Sequence, residues 1–192
     1  KIDEFKKLIE KYLGSLPNTG RKEKYKDDGV RVERELVKFE VYENLENQST
    51  HFKAYVNNFK NNVKNRFKVY VTQNLMKRML HEEIREKQNL VYSISVQDYG
   101  ITKIPDEKYT LVINFDCDPK NKDRIFTEID KVLDKLKKGD FPQHYLDDAI
   151  KAQVTNYLIN RESNRWLVGA ISGYYEDKEP LQMINAIHVI VK

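Results

Sequence analysis

Cysteine is almost missing from this chain of 192 residues: Cys117 is the only one. No internal disulfide can form, so a secreted scaffold stapled by disulfides is excluded, while the compartment stays open. Long apolar runs are missing too. No stretch approaches the roughly 20 apolar residues of a membrane-spanning helix, and no signal peptide is visible. The chain opens at Lys1 rather than Met, so it reads as a fragment or a trimmed chain, and a missing signal says nothing about the parent protein. An excess of one charge is also missing. The net charge is +4 against 34 basic and 30 acidic side chains, which does not argue for nucleic acid, where a concentrated basic face is expected. There is no Gly-rich phosphate loop, no internal repeat and no Cys/His pair. Cys117 stands between Asp116 and Asp118, and neighbouring carboxylates raise a thiol pKa, so a nucleophilic role is not expected.

What is present is ordinary globular material, 40% hydrophobic and 33% charged. The length suits one domain with a real core, and the whole of 1–192 is read as a single domain. Ile2, Phe5, Ile9 and Leu13 fall on one helical stripe that Gly14 stops. Asn18 to Glu33 is polar and reads as a long exposed connection, in which the basic run Arg21 to Lys24 is solvated loop. Leu36 to Tyr42 and His51 to Phe59 alternate as two strands, with Phe39 and Val41, then Phe52, Ala54 and Val56, on the apolar side. A long helix follows from about Asn65. Val69, Thr72, Met76, Leu80 and Ile84 recur at the helical step, widened by Leu75 and Met79. Tyr92, Ile94 and Val96 then alternate with Ser93, Ser95 and Gln97 as a half-buried strand. Tyr109 to Phe115 is the next strand and is apolar enough to be central. Asp118-Pro119 starts a helix that Gly139 ends, with Ile125, Ile129, Val132 and Leu136 buried. Asp140-Phe141-Pro142 reads as a cap and an early proline opening a helix to about Asn160. Ser163 begins a shorter helix anchored by Trp166, and Glu179-Pro180 opens a last one with Met183, Ile184 and Ile187. Paired strands split by helices predict an α+β layer fold, an antiparallel sheet with helices on one face.

The stretch between the long helix and its following strand carries the most information. Gln88-Asn89 is the joint, and Asn tolerates the left-handed conformation that often ends a helix. Arg85 therefore lies in the last helical turn and Tyr92 opens the strand, so one tight connection brings a cation and a phenol near each other. Taken alone, Arg85 reads as a charge at a helix C-terminus and Tyr92 as a core residue with its hydroxyl at the edge.

Arg85-Glu86-Lys87-Gln88-Asn89-Leu90-Val91-Tyr92 resembles the R-E-x-x-G-L-x-Y signature in the C-terminal domains of insulinase-like (pitrilysin) zinc peptidases, which include the mitochondrial processing peptidases. Asn89 stands where that family often has Gly, and both residues can adopt a positive φ. Tyr12-Leu13-Gly14-Ser15-Leu16-Pro17 resembles the family's Y-L-G-x-L-P, and Asn164-Arg165-Trp166-Leu167 its N-x-x-W-L. The resemblance implies an α/β roll, several such domains paired in the parent, and a strand before the first helix. No such strand precedes Ile2, so the sheet's first strand is expected to be missing and an unpaired edge to recruit a second copy of the chain.

The resembled family binds zinc through H-x-x-E-H, and that motif is absent here. The nearest run, His81-Glu82-Glu83-Ile84-Arg85, puts a cation in place of the second ligand. His144-Tyr145-Leu146-Asp147-Asp148 offers one His and two acids on an open helix surface. No metal ligand, catalytic residue or cofactor is therefore assigned to this chain, and the chain by itself is expected to be inactive. Zinc is expected in the N-terminal half of the parent, whose zinc-binding domain is the implied partner. In family enzymes the matching Arg and Tyr contact the peptide backbone, which implies substrate-binding and oxyanion-supporting roles for Arg85 and Tyr92. The implied function is a metal-free domain that completes a peptide-binding chamber. The alternatives are a non-catalytic scaffold or peptide-binding subunit of the same fold, and an unrelated α+β interaction domain. An H-x-x-E-H upstream in the parent favours the peptidase domain, and its absence from any partner favours the non-catalytic scaffold. The compartment is left open: periplasm if this is a secreted bacterial member, otherwise cytoplasm or an organelle.

Overall fold

The structure, a computed structural model, describes residues 1–21, 24–31, 35–41 and 47–185. The chain divides into two compact units, Lys1–Val37 and Lys38–Lys192. In the first, helix α1 (Ile2–Ile9) runs on as a π-helical turn, Glu10–Gly14. This matches the stripe read from Ile2 to Leu13. The polar connection behind it is punctuated by side-chain turns: Asn18 accepts from the Gly20 N–H at 2.8 Å and Asp27 from the Gly29 N–H at 2.9 Å.

The second unit holds the sheet. Strands β1 (Ser49–Asn58), β2 (Ser93–Thr102) and β3 (Lys108–Cys117) form an antiparallel sheet in the order β1-β3-β2. The most apolar strand is the central one, because only a central strand hides both its edges and a whole face. Helix α2 (Val63–Leu80) continues as a π-helical segment, His81–Glu86. Helices α3 (Lys122–Lys138), α4 (Gln143–Asn160) and α5 (Asn164–Glu176) follow β3. The fold is α+β, with the core on one face of the sheet. Ile94, Val96, Leu111, Ile113, Phe115 and Cys117 point into it, and α2, α3 and α4 cover them with residues such as Leu80, Ile84, Ile125, Ile129 and Ala149.

Several boundaries moved for physical reasons. Residues 36–41 carry no strand, and Tyr42 lies outside the described residues, as do Asn44, Ile187 and His188. The two faces of β1 are opposite to the alternation of Phe52, Ala54 and Val56. Phe52 is 63% exposed, whereas the His51 ring stacks on Phe115 at 5.0 Å and Lys53 reaches Asp130 of α3 at 2.5 Å. An aromatic imidazole and a long lysine stem can cover a core as well as aliphatic groups do, with the charge left at the rim. The buried stripe of α2 runs through Val71, Leu75, Met76, Met79 and Leu80, while Thr72 is exposed. Pro142, not Asp140, occupies the N-cap of α4, whose side chain offers no capping bond. Gly139 ends α3 at φ +71° and Ser163 caps α5 by accepting from the Trp166 N–H.

Candidate functional site

The joint after α2 is built by its backbone. Asn89 takes φ +50°, the left-handed conformation that stops a helix. The N–H groups of Asn89 and Leu90 then reach back to the carbonyls of Arg85 and Ile84, at 3.0 and 3.1 Å. Leu90, Val91 and Ile84 are buried, so the turn is nailed to the core by its apolar residues while the polar ones on either side face outwards. This is the local conformation expected from Gln88-Asn89. It also explains why an Asn can stand where the resembled signature has Gly.

The last helical turns are π-helical, and this sets the surroundings of Arg85. A π turn holds one residue more than an α turn, so residues four and five ahead straddle a given side chain. His81 accordingly sits between Arg85 and Glu86. Arg85 donates from Nη1 to His81 Nε2 at 3.1 Å, and His81 Nδ1 lies 3.1 Å from Glu86 Oε1. A shallow depression beside them is lined by Asn74, Lys77, Arg78, His81, Glu82 and Glu86. Across it, Arg78 stacks 3.9 Å from the Tyr145 ring centroid and donates to Asp148 at 2.6 Å, while the Tyr145 hydroxyl donates to Glu82. These bonds hold the Glu82 and Asp148 carboxyls below the ordinary carboxylate range, through Tyr145 and Arg78 respectively.

Tyr92 stands at the other side of the turn, just before β2, and its side chain is 58% exposed. It is not a core residue despite sharing parity with Ile94 and Val96: the strand starts only at Ser93, and the residues buried just before it are Leu90 and Val91. Its N–H donates to the Asp116 carbonyl at 2.7 Å. On the open face the Asp116 carboxylate accepts from Thr50 of β1 and Ser93 of β2, each at 2.7 Å. Those two hydroxyls, Thr50 first, hold the Asp116 carboxyl below its usual range. One side chain of the central strand thus ties both edge strands at the end where Tyr92 begins. Lys120, bonded to Asp118 at 2.8 Å, is near enough for the Tyr92 phenol to add to the rise of its pKa, which Asp118 chiefly causes. Arg85 and Tyr92 therefore flank one turn, but no hydrogen bond joins them. Arg85 is held by His81, and the Tyr92 hydroxyl has no hydrogen-bond partner among the described residues. Sequence reasoning missed His81, Glu86 and Asp116. The spacing of His81 to Arg85 is visible in the sequence, where it reads only as a departure from a metal motif.

Among the described residues no three His, Cys, Asp or Glu side chains come together as a metal-holding group. His81 has both ring nitrogens occupied by Arg85 and Glu86, and Asp148 and Asp147 are taken up by Arg78 and Gln143. Cys117 is buried and its thiol is pushed up, by desolvation first. No helix among the described residues is long and apolar enough to cross a membrane.

The architecture is shared with solved structures. A conserved protein from Enterococcus faecalis V583 superposes with a TM-score of 0.60 at 18% identity, over 74% of this chain and 33% of that one. The periplasmic protease PqqL from Escherichia coli gives 0.57 at 19% identity, over 76% of this chain and 17% of that one. A peptidase M16 inactive domain from Pseudomonas fluorescens gives 0.55 at 19% identity, over 73% and 33%. The chain thus spans a third or less of the length of these proteins. No curated protein matches it. The family described as "Peptidase M16 inactive domain" matches residues 1–153, from α1 into α4. The chain belongs to that family, the inactive C-terminal domain of insulinase-like peptidases.

Proposed function

We propose that this chain is the metal-free domain of a zinc-dependent peptidase, completing a peptide-binding chamber with an N-terminal zinc-binding domain of the same parent. In this reading 1–192 acts as one domain, and zinc and the general base come from the partner domain. The substrate is a peptide. Arg85 and Tyr92 meet it. The observation that carries the reading is the turn at Asn89. It leaves a cation and a phenol exposed on its two sides while its own apolar residues are buried. Attack of water on an amide puts negative charge on the carbonyl oxygen, and a phenol O–H or a guanidinium N–H donated to that oxygen stabilises it. Arg85, always charged, suits a backbone carbonyl that must be held throughout.

The test uses the zinc-loaded parent protein and a peptide it cleaves. A cation that grips the substrate in ground and transition states alike acts on KM, so Arg85→Ala raises KM more than it lowers kcat. Zinc content stays unchanged, since Arg85 is no ligand. An unchanged KM refutes the role of Arg85.

A further inference from the structure

We infer that His81 is a positioning residue for Arg85: its neutral imidazole, with the proton on Nδ1, holds the guanidinium in a fixed direction beside the Asn89 turn. The inference rests on the proposed reading of Arg85 as a substrate contact and adds the device that sets its aim.

The protonation state follows from the partners. Guanidinium nitrogens only donate, so the bond of 3.1 Å from Arg85 Nη1 to His81 Nε2 requires a bare Nε2. The proton must then be on Nδ1, where Glu86 Oε1 waits at 3.1 Å. The tautomer of an imidazole is set by what its other nitrogen meets, and here both ends agree. The chain of three groups, carboxylate to imidazole to guanidinium, depends on the π turn. In an α-helix the fourth residue along would face His81 and the fifth would turn away, whereas the extra residue per turn lets Arg85 and Glu86 stand on either side of it.

A flexible arginine must be ordered before it can hold a peptide carbonyl, and fixing a rotamer-rich side chain beforehand removes part of that cost. A doubly protonated His81 has the opposite effect, because an Nε2–H then points at guanidinium N–H groups, the bond is lost and two cations face each other. Glu86 is the carboxylate bonded to the imidazole. Arg78 and Glu82 are engaged with Asp148 and Tyr145 of α4, Lys87 pairs with Glu82 and Glu83, and Lys77 adds a further cation to the same depression.

Two measurements decide it. In the chain itself, nitrogen NMR of the His81 imidazole at neutral pH is expected to show the Nδ1–H tautomer. Glu86→Ala is expected to shift His81 towards Nε2–H. A wild-type His81 with its proton on Nε2 overturns the proposal without any activity assay. In the zinc-loaded parent, His81→Ala is expected to raise KM about three- to tenfold, the range set by one hydrogen bond, with kcat little changed. His81→Gln, whose amide oxygen accepts as Nε2 does, is expected to restore KM. In an Arg85→Ala background, His81→Ala is expected to add nothing. If Arg85→Ala raises KM while His81→Ala does not, the positioning role fails and the reading of Arg85 stands. If neither raises it, both fail.

Discussion

Asn89 is the position where a single side chain tests the geometry of the site's turn. Its φ is +50°, its side chain is exposed and makes no hydrogen bond among the described residues, and only the backbone N–H bonds to the Arg85 carbonyl. A substitution therefore changes little except the cost of the left-handed conformation. For most L-residues that cost is about 1–2 kcal/mol, and Asn pays less than most. Asn89→Ala is expected to destabilise by about 1 kcal/mol and to lower Tm by about 2–4 °C in a chain of this size. Asn89→Val is expected to cost more, because a β-branched residue is a true outlier at positive φ. Asn89→Gly relieves the strain but frees the unfolded chain by a similar amount, roughly 0.5–1 kcal/mol, so it is expected to be nearly neutral. Thermal and urea unfolding followed by circular dichroism measure all three. The order Gly ≈ Asn > Ala > Val is the prediction, and equal stability of Val and Asn would refute the left-handed turn.

Three further outcomes follow from other parts of the structure. His51 is held below the ordinary imidazole value, first by burial against Phe115 and then by Lys122, with Glu40, Asp116 and Asp123 opposing. The unfolded chain then takes up the proton first, so this contribution to stability is complete above about pH 6.5 and is lost as pH falls below it towards the lower folded-state value; His51→Gln should flatten that slope in urea unfolding between pH 7 and 5. Strands β1 and β2 pair with no strand but β3 among the described residues, and open edges recruit other chains, so sedimentation velocity of the chain should show concentration-dependent self-association, which a monodisperse monomer at high concentration would contradict. Chelator-treated chain reloaded with zinc should hold less than stoichiometric metal by elemental analysis, and one tightly bound zinc per chain would overturn the expectation that this domain holds none.

Much of the fold was legible because the periodicities are strong. The alternation in Ile94 and Val96, the apolar run from Leu111 to Phe115 and the stripe Ile125, Ile129 and Val132 all mark buried faces. The face of β1 was misread because Phe52, Ala54 and Val56 look like the core side, whereas His51, Lys53 and Tyr55 cover the core by ring stacking and by a lysine stem. Hydrophobicity alone does not count an imidazole or a lysine stem as core. The turn at Asn89 was legible from one residue type with a known backbone habit. The π-helical end of α2 was not, since nothing in local composition distinguishes i+4 from i+5 bonding, and with it the clasp of His81 on Arg85 stayed hidden. The Asp116 bridge was hidden for another reason. It joins residues far apart in sequence, Thr50 and Ser93, through strand register.

In the proposed function, Tyr92 of this domain donates to a peptide bond broken with zinc held elsewhere. The most direct measurement is kcat of Tyr92→Phe in the zinc-loaded parent. The change removes one hydroxyl from an exposed side chain whose backbone bond to Asp116 is kept, so the fold should be untouched and zinc content the same. Loss of one donor to a developing oxyanion costs about 10²–10³ in kcat, and that is the expected result. Full activity of Tyr92→Phe, with zinc bound and the fold intact, would show that Tyr92 donates nothing to the reacting carbonyl.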